Sequence, residues 1–211
     1  MRRSDLKLPR LYGIVDVAYA GAGGDLLRFA EALVDGGCTL LQYRNKTDNA
    51  RVTLEQAREL KKRLGSRGDS IQLIMNDRAD LSLAAEFDGV HVGQEDLSPE
   101  SVRKIIGPDR WLGVSTHNPE QLSEADLTSA DYLAIGPVFA TSSKEKPDPV
   151  VGLEGVRRAR ALTRKPLVAI GGITRANAAS VIEAGADSVA VISDLLREPR
   201  KSAEEFFRIL R

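Results

Sequence analysis

Cysteine is almost missing from this chain: Cys38 is the single one among 211 residues. No intramolecular disulfide can form, which excludes a small secreted scaffold held by bridges and suits a reducing compartment such as the cytoplasm. Histidine is nearly as scarce, with only His91 and His117, and without further Cys or His partners at ligand spacing a zinc pattern is excluded. Excess charge of one sign is lacking too, since Lys plus Arg and Asp plus Glu number 30 each. The chain therefore has no overall field to draw nucleic acid or an anionic membrane, and any anion must be bound locally. No stretch approaches the roughly 20 apolar residues that span a bilayer. The opening MRRSDLKLPRLYGIVD carries basic residues but no apolar run of signal-peptide length. Pro/Gly-rich linkers, low-complexity tracts and evident tandem repeats are absent as well. A soluble cytoplasmic protein is expected, with 1–211 forming a single domain.

What is present is a regular alternation. Short runs rich in Val, Ile and Leu recur at 11–15, 39–42, 71–75, 89–92, 111–114, 132–135, 167–170 and 189–192, reading as strands apolar on both faces. Between them lie segments of helical period at 25–35, 54–64, 99–106, 119–127, 153–162 and 175–183. About eight strands alternating with helices predict an α/β fold of parallel units closing into a (β/α)8 TIM barrel. A doubly wound open sheet is the competitor. Closure is favoured because the alternation never pauses for a reversal and polar residues follow nearly every strand. The polar, proline-bearing stretch 141–152 (TSSKEKPDPVVG) is the one candidate mobile loop.

In a barrel the C-terminal strand ends converge on one face, so residues distant in sequence meet there. After the second strand, period-two alternation throws Gln42, Arg44 and Lys46 to one side. Two cations and an amide donor suit a diphosphate; a solvated charged loop is the plainer interpretation of an isolated Arg-x-Lys. The third strand ends in Asn76-Asp77, and Gly93-Gln94-Glu95-Asp96 follows the fourth. Carboxylates from neighbouring strands can share Mg²⁺, which takes one or two protein carboxylates and fills its octahedron with water and phosphate oxygens. Pairing of Asp77 with Arg78 or Arg44, and capping by Asp96 of a helix beginning near Ser98, are structural alternatives; Glu95 is a rival for Asp96. The fifth strand ends in Ser115-Thr116-His117, and the sixth is followed by Thr141, Ser142, Ser143 and Lys144. Gly171-Gly172 after the seventh leaves backbone N–H groups bare ahead of a helix, where a phosphate can rest, and Ile192-Ser193 closes the eighth. His91, between Val90 and Val92, reads as a buried supporting imidazole. His117 could face the site or satisfy a helix start before Pro119. Gly-Val-Ser-Thr-His lacks the second glycine of a serine-hydrolase elbow.

Taken in order, LYGIVD, LLQYRNK, MNDRADLSLAAEFDGVHVGQEDL, GVSTHNPEQL, DYLAIGPVFATSSK and AIGGITRANAASVIEAGADSVAVIS resemble the thiamine phosphate synthase family over nearly the whole chain. The resemblance implies a transferase of thiamine biosynthesis. It would couple 4-amino-2-methyl-5-(diphosphooxymethyl)pyrimidine with 4-methyl-5-(2-phosphooxyethyl)thiazole, or its carboxylated form, releasing pyrophosphate with Mg²⁺ as cofactor. It places Gln42, Arg44, Lys46, Asn76, Ser115 and Lys144 on the pyrimidine diphosphate, with Arg44, Lys46, Ser115 and Lys144 catalytic. Thr141, Ser142, Ser143, Gly172, Ile192 and Ser193 fall on the thiazole phosphate, Ile192 through backbone only, and Asp77 and Asp96 on Mg²⁺. Ser143 stands where the family usually has threonine, and Ser188 where glycine often follows Gly-Ala-Asp. Two other functions fit the same barrel: an isomerase resembling thiazole tautomerases, with His117 as acid or base, and a non-catalytic sensor of thiamine precursors.

Overall fold

The computed structural model describes residues 6–20, 25–47, 49–67, 70–141 and 148–211. Eight strands, β1 (Leu11–Asp16), β2 (Leu40–Arg44), β3 (Gln72–Asn76), β4 (Gly89–Val92), β5 (Trp111–Thr116), β6 (Tyr132–Ile135), β7 (Leu167–Ile170) and β8 (Ser188–Val191), close in sequence order into a barrel. Every pairing is parallel, and β1 completes the ring by pairing Leu11 with Val189 and Tyr12 with Ala190. The expected barrel and its eight strands are therefore present. Around it run α1 (Val17–Ala20), α2 (Leu26–Asp35), α3 (Ala50–Gly65), α4 (Ala79–Ala84), α5 (Pro99–Ile106), α6 (Pro119–Asp126), α7 (Gly152–Leu162), α8 (Ala178–Glu183) and α9 (Pro199–Ile209). No helix among the described residues is long and apolar enough to cross a membrane.

Strand alternation sorts the apolar side chains into two cores. Tyr12, Ile14, Leu40, Ile74, Tyr132, Ala134, Val168 and Ala190 fill the barrel interior. Their neighbours in sequence, such as Leu11, Val15, Leu41, Leu133 and Val189, point outward into a second core beneath the helices. Because both faces are covered, the strands read as unbroken apolar runs rather than as alternating ones. Helix starts are fixed locally. The side chains of Asp25, Asn49, Ser98 and Asn118 accept backbone N–H groups at the first turns of α2, α3, α5 and α6, and Pro99 and Pro119 occupy first helical positions. Such caps contribute about 1 kcal/mol each.

One device recurs at the N-terminal end of the barrel. Asp88, Asp131 and Asp187 each stand one residue before a strand, β4, β6 and β8. Their Oδ2 atoms accept the N–H of Leu73, Leu112 and Leu167 at 2.8 Å, tying each strand to the preceding one. Each also meets a cation from the helix that precedes the pair of strands: Lys61 of α3 at 3.2 Å, Arg103 of α5 at 2.6 Å and Arg160 of α7 at 2.8 Å. This end is thereby clamped, leaving the opposite end to differ loop by loop.

Candidate functional site

The C-terminal strand ends carry the polar residues. On β1 and β2 the inward positions in register are Tyr12 with Leu40, Ile14 with Gln42 and Asp16 with Arg44. The last pair sits at the mouth, where the Arg44 guanidinium donates to the buried Asp16 carboxylate. Two residues on, Lys46 donates to Asp77 at the exit of β3. Asp77 has φ 61°, the left-handed region that a non-glycine residue enters only when held there. Its N–H donates to His91 O at 2.8 Å, which supplies that hold.

Asp96 accepts the Gly93 N–H at 2.7 Å in the loop after β4. Its carboxyl is pushed above the ordinary aspartate value, chiefly by desolvation and further by the Asp77 carboxyl lying against it; the Gly93 N–H pulls the other way. The Arg44–Asp16 pair and the Lys46–Asp77 pair, with Asp96 against Asp77, thus gather charge over the exits of β1 to β4. The structural alternatives resolve accordingly. Arg78 pairs with Asp80 rather than Asp77, and Ser98, not Asp96, caps α5.

Inside this rim the polar groups are buried. Asn76 Nδ2 is enclosed with no hydrogen-bond partner among the described residues, so it is a donor able to meet a ligand. Gln42 donates to the Tyr12 hydroxyl at 3.1 Å, and Ser115 Oγ lies 2.8 Å from His91 Nε2. Across the mouth, Gly171 and Gly172 at the β7 exit have φ 98° and 62°. A Cβ on Gly172 would meet Ala140 O at 2.5 Å and Phe139 Cβ at 2.8 Å, so only glycine lets the loop after β6 pass so close. The helix behind the glycine pair begins at Ala178, later than the expected 175, because Asn177 Oδ1 accepts the Thr174 N–H and turns the chain first. Arg175 N–H donates to Asp194 at 2.7 Å, joining this loop to the 3-10 turn Ser193–Leu195 after β8. Gly172, Ile192 and Ser193 accordingly occupy adjacent stations, with Thr141 at the β6 exit. Ser142, Ser143 and Lys144 lie outside the described residues.

His117 has Nδ1 at 2.7 Å from Gly136 O and at 3.5 Å from Asp148. Three residues that sequence reasoning passed over belong to the site's architecture: Asp16, Tyr12 and Tyr132. Asp16 was signalled by an acid closing an apolar strand, whereas a tyrosine within a strand reads as ordinary core. A cavity of about 1470 Å³ lies at the opposite end of the barrel, lined by Arg10, Asp131, Arg160, Lys165 and Asp187. Asp131 and Asp187 there are the clamps described above, and none of the strand exits reaches it, so it is not the candidate site.

The sequence pattern of the thiamine monophosphate synthase family matches residues 11–195. Thiamine-phosphate synthase of Koribacter versatilis is 61% identical over 210 residues, covering 98% of both chains. That of Xanthobacter autotrophicus is 46% identical over 88% of this chain and 86% of its own. A solved structure of thiamine phosphate pyrophosphorylase from Pyrococcus furiosus superposes with a TM-score of 0.84 at 33% identity, covering 99% of this chain and 96% of the other. On a family match that spans most of its length and relatives of this identity, the chain belongs to the thiamine monophosphate synthase family.

Proposed function

We propose that this protein is a thiamine-phosphate synthase that joins the pyrimidine diphosphate to the thiazole phosphate and releases pyrophosphate. The observation that carries this is the set of charged residues Arg44, Lys46, Asp77 and Asp96, placed over polar groups at one barrel mouth. Gln42 and Asn76 bind the pyrimidine, the unpartnered Asn76 amide giving it a donor. Arg44, Lys46, Ser115 and Lys144 bind the diphosphate. Thr141, Ser142, Ser143 and Ser193 with the backbone of Gly172 and Ile192 bind the thiazole phosphate.

The donor set fits Mg²⁺. The Asp77 carboxylate raises the cost of charge on Asp96, and a divalent ion held by both residues would relieve that cost. Asp77 and Asp96 would be the two protein carboxylates that hold Mg²⁺, a number that suits this ion; among the described residues no group of three or more acidic, His or Cys side chains could hold a metal. When bound, Mg²⁺ supplies charge neutralisation to the diphosphate.

The chemistry is a dissociative substitution. The bond between the pyrimidine methylene carbon and the diphosphate oxygen breaks, and both electrons leave with the diphosphate. Arg44, Lys46 and Lys144 stabilise that growing negative charge as a preorganised electrostatic site. The amino-pyrimidine delocalises the cation left behind, and the thiazole nitrogen, fixed through its phosphate, forms the new carbon–nitrogen bond. Holding both partners in place removes about 7 kcal/mol or more of the barrier. No activated nucleophile is required of the protein. Tautomerase chemistry would use neither the diphosphate nor the acidic pair. The reading also places the protein in the cytoplasm, where the lone buried thiol Cys38 stays reduced.

Incubating purified protein with both substrates, with and without Mg²⁺, tests this. Equimolar thiamine phosphate and pyrophosphate, formed only with the metal, is expected. Tautomerisation alone, or binding without turnover, would overturn it.

A further inference from the structure

Five polar side chains cross the barrel interior in one unbroken series. Gln42 Nε2 donates to Tyr12 Oη at 3.1 Å, and Tyr12 Oη lies 3.0 Å from Tyr132 Oη. Tyr132 Oη is 3.1 Å from His91 Nδ1, and His91 Nε2 is 2.8 Å from Ser115 Oγ. The first four are buried in the barrel, whereas Ser115 opens toward the mouth. A single position makes the crossing possible. Gly113 on β5 stands in register between His91 on β4 and Tyr132 on β6. A Cβ there would come to 2.3 Å from His91 Nδ1 and 2.4 Å from Tyr132 Oη, so the missing side chain is the gap through which the two groups meet.

The series has a direction. A hydroxyl has one proton, and a neutral imidazole donates from one nitrogen while accepting at the other. Tyr12 accepts from the Gln42 amide, which frees its own proton to go to Tyr132. Tyr132 then gives its proton to His91 Nδ1, which places the imidazole proton on Nε2. That N–H donates to Ser115 Oγ, and the Ser115 proton is left pointing outward.

We propose that His91 and Tyr132 are positioning residues, part of a one-way relay anchored at Gln42 that fixes Ser115 as a hydrogen-bond donor to the anionic diphosphate. The opposite polarity, from Ser115 inward to Gln42 Oε1, would present Ser115 as an acceptor and repel an anion. The relay also joins two substrate contacts, because Gln42 at one end and Ser115 at the other are linked without passing through the ligand. This deepens the synthase reading and rests on it for its kinetic consequences.

The proton on His91 is measured directly. The chain has only two histidines, so ¹⁵N-histidine labelling gives two ring spin systems, separable by comparison with His117→Gln. Protonation of His91 at Nε2 in the full-length protein is expected at pH 7; a proton on Nδ1 overturns the relay's direction. The second arm is kinetic. Tyr132→Phe removes the donor to His91 and should lower kcat about tenfold, with KM for the thiazole phosphate unchanged. Ser115→Ala should lower kcat about a hundredfold, and Ser115→Ala with Tyr132→Phe should lose no more than Ser115→Ala alone. His91→Gln, which keeps one donor and one acceptor, should retain more activity than His91→Leu. Additive losses, or equal damage to both His91 variants, would show a purely structural role and overturn the proposal. A wild-type protein that forms no thiamine phosphate defeats the synthase reading instead, and leaves the labelling result standing.

Discussion

His91 ties acid stability to the barrel interior in a way that can be calculated. Burial lowers its pKa to about 4 from the 6.5 of a free imidazole, with Asp96 the opposing charge. The groups its ring meets, Tyr132 and Ser115, are uncharged, and Tyr132 is held further from ionisation by burial. Between pH 6.5 and pH 4 the unfolded chain therefore binds a proton at this site that the folded chain refuses. Stability must rise with pH across that window and fall as acid is added. The whole difference is worth about 3 kcal/mol, of which about 2 kcal/mol is lost between pH 7 and pH 5. For a protein of this size that corresponds to about 4–7 °C in Tm. Thermal or urea unfolding of wild type and His91→Gln at both pH values isolates the term, because every carboxylate contributes equally to both proteins. The variant should lose about 2 kcal/mol less between pH 7 and pH 5 than wild type does. Identical losses in the two proteins would refute the claim that this imidazole is buried neutral.

Other consequences are more local. Asp96→Asn removes one of two adjoining charges, so the Mg²⁺ titration midpoint should rise and turnover fall while thermal stability holds; an unchanged titration and rate would take Asp96 out of the metal site. Gly172→Ala forces a side chain onto φ 62° and against Ala140 O. It should cost about 1–3 kcal/mol of stability and raise KM for the thiazole phosphate more than for the pyrimidine diphosphate; steady-state kinetics with each substrate varied in turn checks the split. Asp131→Ala strands Arg103 and the Leu112 N–H at the far end of the barrel. A loss of about 3–5 kcal/mol in denaturant unfolding is expected, with kcat of the folded protein unchanged at low temperature.

Much of this fold was legible because its strands are buried on both faces. Runs such as Leu167 to Ile170 carry no solvent-facing residue to blur them, and the exits announce themselves as polar. The elements that escaped had weaker marks. Helix α4 has six residues and no side-chain cap, and α9 shows charge along most of its length while burying Ser202, Ala203 and Phe206. At the site, Arg44, Lys46, Asp77 and Asp96 were visible because charge at a strand exit needs a reason. Asp16 as the partner of Arg44, and Lys46 as the partner of Asp77, were not, since spacing sets which face a residue occupies but not which neighbour it meets. The relay was hidden for a deeper cause: His91, Gly113 and Tyr132 are separated in sequence and become neighbours only through the register of three adjacent strands.

The account turns on one mouth gathering diphosphate and cation together. Crystals grown with pyrophosphate and Mn²⁺, used as an anomalous scatterer in place of Mg²⁺, test it directly. The metal peak should fall between Asp77 and Asp96, with the diphosphate bridging it to Arg44 and Lys46. Pyrophosphate seated instead among Arg10, Arg160 and Lys165 at the far end of the barrel, or metal bound away from the two carboxylates, would contradict it.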